Sequence, residues 1–176
     1  DEARHSLPHF MQHKVAVIPN ATPLPEYRGA KNRQDTGPFT ICSVGRLADD
    51  IKQQSILIRA LGILRDIFPQ WRLCFYGKDA YGEQAGLERL AQQVGLEGRV
   101  FFLGEILDVR TAYEQAHIFC LPSRYEGFPV VGVEALRHSL PVVAFADCAA
   151  ARSLVDSTCG ILAEHMTPHS LAQALA

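Results

Sequence analysis

A chain of 176 residues, 48% hydrophobic and 20% charged, can bury about two-thirds of its surface, which is enough for one globular domain and too little for two. Seventeen Lys and Arg against nineteen Asp and Glu leave a formal charge of −2, so there is no basic field and nucleic acid is not the expected partner. No apolar run approaches the roughly 20 residues that span a bilayer, and the opening DEARHSLPHF has no signal-peptide core, so a soluble, cytoplasmic chain is expected.

In chain order, Lys14-Val-Ala-Val-Ile18 reads as a short strand, and residues 20–38, rich in Pro, Gly and polar groups, read as a linker or long loop. His5, His9 and His13 have helical metal-ligand spacing, but Pro8 interrupts that helix and the segment is read as a frayed terminus. From residue 39 onward short apolar runs alternate with helical periodicity. Strands are expected at Phe39–Val44, Trp71–Tyr76, residues 99–103, Ile118–Leu121, residues 141–145 and residues 159–163. Helices are expected at residues 55–68, 83–94, around 109–115, about 129–138 and from about Pro168. Strict alternation of this kind implies parallel strands joined by right-handed crossovers, with helices on both faces: an α/β, doubly wound, Rossmann-like sheet. Cys42, Cys74, Cys120, Cys148 and Cys159 show no CxxC spacing, and four of them lie in or beside strand-like runs. They are read as free thiols in a reducing compartment, with neither disulfides nor zinc.

In an open parallel sheet, ligands bind at the carboxyl ends of the strands. The loops after Val44, Tyr76 and Leu121 carry glycine or charge there. In Val44-Gly-Arg-Leu47, Gly45 permits a sharp turn and a close approach, and Arg46 and Lys52 put two cations near the start of the next helix. That set suits a diphosphate; the plainer alternative is a strand-end turn with two solvated cations. In Glu126-Gly-Phe-Pro-Val-Val-Gly-Val-Glu134, Pro129 suits the first helical position, leaving the N–H groups of Val130 and Val131 free. Glu126 and Glu134 straddle the loop-to-helix junction, where carboxylates can accept pairs of sugar hydroxyls. By spacing alone they read as two solvated acids, and the Gly-Phe-Pro between them is what favours a site.

Taken together, Val17-Ile-Pro-Asn20, Ser43-Val-Gly-Arg-Leu47 with Lys52, Arg99-Val-Phe-Phe-Leu-Gly104, Leu121-Pro-Ser-Arg-Tyr-Glu-Gly-Phe-Pro129, Glu134-Ala-Leu136 and Pro141-Val-Val-Ala144 resemble the C-terminal domain of the retaining family 4 glycosyltransferases. These have the GT-B fold of two facing Rossmann-like domains. The resemblance implies that residues 1–38 are the end of an N-terminal domain and an interdomain linker, and that 39–176 bind a nucleotide sugar. It assigns Arg46 and Lys52 to the donor diphosphate and the charge on the leaving group. Glu126 falls to the donor sugar and Glu134 to the ribose, as the two acids of an E-x7-E motif. Gly45, Gly127, Phe128, Pro129 and the Val130 and Val131 N–H groups would line the donor, with Leu103 and Ile106 beside the base.

The implied activity is transfer of a hexose or N-acetylhexosamine from a UDP-sugar, with retention, to a glycan or lipid-linked glycan in polysaccharide biosynthesis. Glu126, Arg46 and Lys52 would be the catalytic groups, and no metal or other cofactor is expected. The acceptor would reach the site through an absent N-terminal domain, and the full-length enzyme would sit peripherally at the inner membrane face. This chain, a piece of a longer protein on that reading, would bind donor without turnover. A UDP-sugar epimerase of the same fold and a non-catalytic nucleotide-sugar module are the alternatives. A dinucleotide oxidoreductase is disfavoured because no GxGxxG follows the first strand. The chain departs from the family in four places. There is one extra residue between Leu47 and Lys52, His117 stands where Asp is common, residues 148–153 replace a glycine-rich loop, and Asn20-Ala-Thr-Pro replaces Asn-Gly-Val-Asp.

Overall fold

The computed structural model describes residues 8–14, 20 and 37–176. His5, the expected strand beyond Lys14 and most of the expected linker lie outside the described residues. Pro8 is itself non-helical and caps a single helical turn, α1 (His9–Gln12), that follows it. This agrees with the tolerance for proline at a helix N-terminus.

Six parallel strands follow: β1 (Phe39–Val44), β2 (Trp71–Tyr76), β3 (Val100–Phe102), β4 (Ile118–Leu121), β5 (Val142–Phe145) and β6 (Gly160–Ala163). They form one sheet in the order β3-β2-β1-β4-β5-β6, in parallel register throughout. The expected doubly wound, Rossmann-like α/β fold is therefore present. The chain builds outward from β1 to β3 and then crosses back to lay β4 on the other side of β1. The direction of winding reverses between β1 and β4, which opens a crevice at their carboxyl ends.

Side-chain alternation explains why both faces are covered. Ile41, Leu73, Cys120, Val143 and Phe145 join one buried cluster, whereas their neighbours Cys42, Cys74, Phe119, Val142 and Ala144 join the other. Successive residues of a strand point to opposite faces, so a strand that is apolar throughout needs helices on both sides. The first face is covered by α3 (Gln54–Leu64), α4 (Gln84–Gln93) and α8 (Pro168–Leu175). The second is covered by α5 (Arg110–Gln115), α6 (Val130–Arg137) and α7 (Ala149–Arg152). Cys42, Cys74, Cys120 and Cys148 are buried in these layers, and all five cysteines are free thiols. Burial pushes the Cys74 and Cys120 thiols up, which disfavours the reactive thiolate.

Two short helices were not expected. α2 (Asp49–Lys52) occupies the segment read as loop. Its first turn carries Asp49 and Asp50, and the Asp49 N–H donates to Glu83 Oε2 at 2.6 Å. Lys52 therefore ends a helix of its own, two residues before the next begins. Gln53, in the left-handed region at φ 49° and ψ 41°, turns the chain into α3. The second, α7, fills the segment that replaces the glycine-rich loop, where three consecutive alanines favour helix. His117 also has a structural task. Its Nδ1 accepts the Thr40 N–H at 3.0 Å, as a carboxylate oxygen could.

Candidate functional site

The crevice predicted by the topology has a volume of about 340 Å³ and is lined by the ends of three strands and one helix. β1 contributes Val44, Gly45 and Arg46, and β2 contributes Tyr76, Gly77 and Lys78. The segment after β3 adds Glu105, Ile106 and Val109, and α6 adds Glu134. The loops are tied to one another by backbone bonds that prolong the sheet. Gly45 N–H donates to the Tyr76 carbonyl at 2.8 Å, Leu47 N–H to Lys78 at 2.9 Å and Gly77 N–H to Gly104 at 2.7 Å. Gly77, at φ 143°, must lack a side chain, because a Cβ would run into the Gly45 carbonyl. The floor is thus hydrogen-bonded backbone, with charge supplied by a few side chains.

Arg46 is exposed at the mouth. Its carbonyl accepts a 3.0 Å bond from the buried Gln54 Nε2, and its guanidinium has no partner among the described residues. Lys78 is exposed beside it. Two cations facing a carboxylate and two apolar side chains, Ile106 and Val109, suit a ligand with a polyanionic part, a hydroxyl-bearing part and a flat apolar part.

Lys52 and Glu126 stand apart from this lining and hold each other. Lys52 Nζ lies 2.6 Å from Glu126 Oε1, with side-chain exposures of 22% and 12%. The pair adjoins the crevice through Gly45, whose missing Cβ would lie 3.7 Å from Lys52 Cε. The Arg124 N–H, donating to the Ile51 carbonyl at 2.8 Å, joins the loop after β4 to α2 and keeps the pair in register.

The structure thus gathers Gly45, Arg46, Ile106 and Glu134 at one crevice, with Lys52 and Glu126 as a closed pair at its edge. The rest of the 126–131 segment lies outside the lining. Pro129 is the residue before α6 rather than its first, and the Val130 N–H turns back onto the Phe128 carbonyl at 2.9 Å. Of the two amides expected to be free, only that of Val131 has no acceptor among the described residues. Gly127 is exposed, Phe128 half-buried, and Leu103 exposed away from the crevice. Sequence reasoning missed Lys78, although its loop had been singled out, and it missed Tyr113. The fully buried Tyr113 phenol donates to Glu134 Oε2 at 2.9 Å. Among the described residues no His, Cys, Asp and Glu cluster could hold a metal, and no helix is long and apolar enough to cross a membrane.

The model of the family "Glycosyl transferases group 1" matches residues 27–176. The lipopolysaccharide core biosynthesis mannosyltransferase LpcC of Rhizobium leguminosarum is 28% identical over 128 residues, covering 71% of this chain and 36% of its own length. Among solved structures, the C-terminal domain of the group 1 glycosyl transferase LpcC of Francisella tularensis superposes with a TM-score of 0.74 at 25% identity. That match covers 85% of this chain and 83% of the solved one. The HepE protein of Anabaena, solved in complex with UDP and glucose, gives a TM-score of 0.69 at 31% identity, over 77% of this chain and 37% of its own. The chain spans about two-fifths or less of the length of the curated relatives it matches, 40% and 36% for the first two.

Proposed function

This chain belongs to the group 1 glycosyltransferases, and from that premise we propose that residues 39–176 are the donor-binding half of a retaining enzyme that uses a UDP-sugar. The observation that carries the reading is the crevice at the carboxyl ends of the strands, where Arg46, Lys78 and Glu134 line one space of about 340 Å³. A nucleoside diphosphate matches that lining part by part. The diphosphate lies against Arg46, the ribose hydroxyls against Glu134 and the base against Ile106 and Val109. The complex of the similar HepE protein with UDP and glucose supports the choice of UDP.

In this reading the donor engages Lys52 by drawing it from Glu126, which turns to the hydroxyls of a hexose or N-acetylhexosamine. As the bond from the anomeric carbon to the β-phosphate oxygen breaks, negative charge grows on the departing UDP. Arg46 and Lys52 meet that charge with two cations, as a bound metal would. The acceptor is a hydroxyl of a glycan or lipid-linked glycan, presented by an N-terminal domain for which residues 1–38 supply the linker. The mannosyltransferase of lipopolysaccharide core biosynthesis among the similar proteins supports that acceptor class. The setting is polysaccharide assembly at the cytoplasmic face of a membrane.

The test is a calorimetric screen of UDP, GDP, ADP and their hexose conjugates against the chain without added metal. UDP and one UDP-sugar are expected to saturate it at one site, and EDTA is expected to leave the affinity unchanged. A chain that binds none of them, or binds only with a divalent ion, contradicts the reading.

A further inference from the structure

Glu134 is the one carboxylate that α6 sends into the crevice, and a side chain outside the crevice restrains it. Tyr113, on α5, is fully buried, with its phenol oxygen 2.9 Å from Glu134 Oε2 and 3.2 Å from the Val131 carbonyl. A phenol has one proton to give, and the shorter, charge-assisted contact holds it more strongly. The ring cannot move to follow the carboxylate. Phe119 meets it edge-on at 5.8 Å and 72°, and His138 lies 5.2 Å away at 37°. His138 is in turn bonded through Nδ1 to the Glu134 carbonyl at 2.9 Å. Glu134 is thus held at its backbone by His138 and at its carboxylate by Tyr113, two buried aromatic side chains in contact. Burial, and then the charge of Glu134, push the Tyr113 phenol up from its ordinary value, so it remains a donor at physiological pH.

We propose that Tyr113 is a positioning residue that fixes one oxygen of Glu134 so that the carboxylate meets the crevice in the orientation a vicinal diol requires. Tyr113 thereby sets the preference for a ribonucleotide over its deoxy analogue. The inference rests on the donor reading above. A free glutamate must be ordered each time a ligand binds, whereas one held by a buried phenol is ordered beforehand.

The chain and its Tyr113→Phe variant are titrated with UDP and with 2′,3′-dideoxy-UDP. The unsubstituted chain is expected to prefer UDP. In Tyr113→Phe that preference is expected to fall about ten-fold, the loss of one charge-assisted bond, while affinity for the dideoxy nucleotide holds. A merely structural role would weaken both nucleotides alike, and an unchanged ratio overturns the proposal. Glu134→Asp provides an independent check, because a shorter carboxylate cannot serve both the phenol and the diol. The preference should fall there too, and adding Tyr113→Phe should lower it no further. Full discrimination in Glu134→Asp, or a further loss in the double variant, overturns the proposal. A chain that binds both nucleotides equally removes the ribose from Glu134, and the proposal with it. One that binds neither contradicts the donor reading itself.

Discussion

Gly77 and Glu126 show how single residues decide what the crevice can hold. At Gly77 a methyl group would meet the Gly45 carbonyl and come within 3.0 Å of the Arg46 N–H. Backbone cannot yield as a side-chain tip does, so Gly77→Ala should cost about 1–3 kcal/mol in chemical denaturation. UDP affinity should fall with it, because the displaced loop carries Arg46. An Ala variant of unchanged stability and affinity would show that the two loops are not in contact. At Glu126 the carboxylate competes with any phosphate for Lys52. Glu126→Gln should therefore bind plain UDP as well or up to about five-fold more tightly, the range of a partly exposed ion pair. The extra affinity of a UDP-sugar over UDP should disappear. Calorimetry with both ligands separates the two effects. Gly45 and Arg46 could be picked out in the sequence because a glycine and a charge at a strand end are local features, whereas Glu134, inside α6, was singled out by the resemblance to a family. Tyr113 could not, because it sits among ordinary helix residues and its partner lies 21 positions away.

The elements owe their limits to polar side chains as much as to apolar periodicity. α8 starts where Thr167 Oγ1 accepts the Ser170 N–H at 3.1 Å, with Pro168 in the first turn. α4 starts where the Asp79 carboxylate accepts the N–H groups of Glu83 at 2.9 Å and Gln84 at 3.2 Å. Those bonds, the Glu83 amide first, hold the Asp79 carboxyl below its ordinary 3.8. A depressed carboxylate adds stability above its unfolded value and loses it as the pH falls through the folded one. Asp79→Asn should therefore show a shallower acid destabilisation below about pH 4, measured by circular dichroism, and identical profiles would remove Asp79 as the cap. At the opposite end of the sheet, His117→Ala leaves the Thr40 N–H without its acceptor and should cost about 1–3 kcal/mol. His117→Asp should restore most of that. β1, β2 and β4 agree residue for residue with the largely apolar runs that announced them, because a strand buried on both faces has little room for polar residues. α2 and α7 escaped notice because four residues make barely one turn, too short for a period to show.

At the scale of the molecule, the sheet's reversal between β1 and β4 places the crevice, and the order of elements already implied it. The alternation of strand and helix was enough for the fold. The pairing of Lys52 with Glu126, and the turning inward of the Val130 amide, depend on loop paths that no periodicity reports. A ligand bound only by the native state raises its stability by mass action, about 2.7 kcal/mol at a hundred times the dissociation constant. For a domain of this size that is roughly 5–10 °C in Tm. UDP should produce such a shift, and inorganic phosphate at the same concentration should produce much less.

The most direct measurement is a calorimetric titration of UDP into the chain, into Arg46→Ala and into Glu134→Ala. Saturable binding at one site, weakened about ten-fold or more by either substitution, is the expected result. Binding that survives both changes intact would place the nucleotide elsewhere on the molecule and contradict the assignment of the crevice.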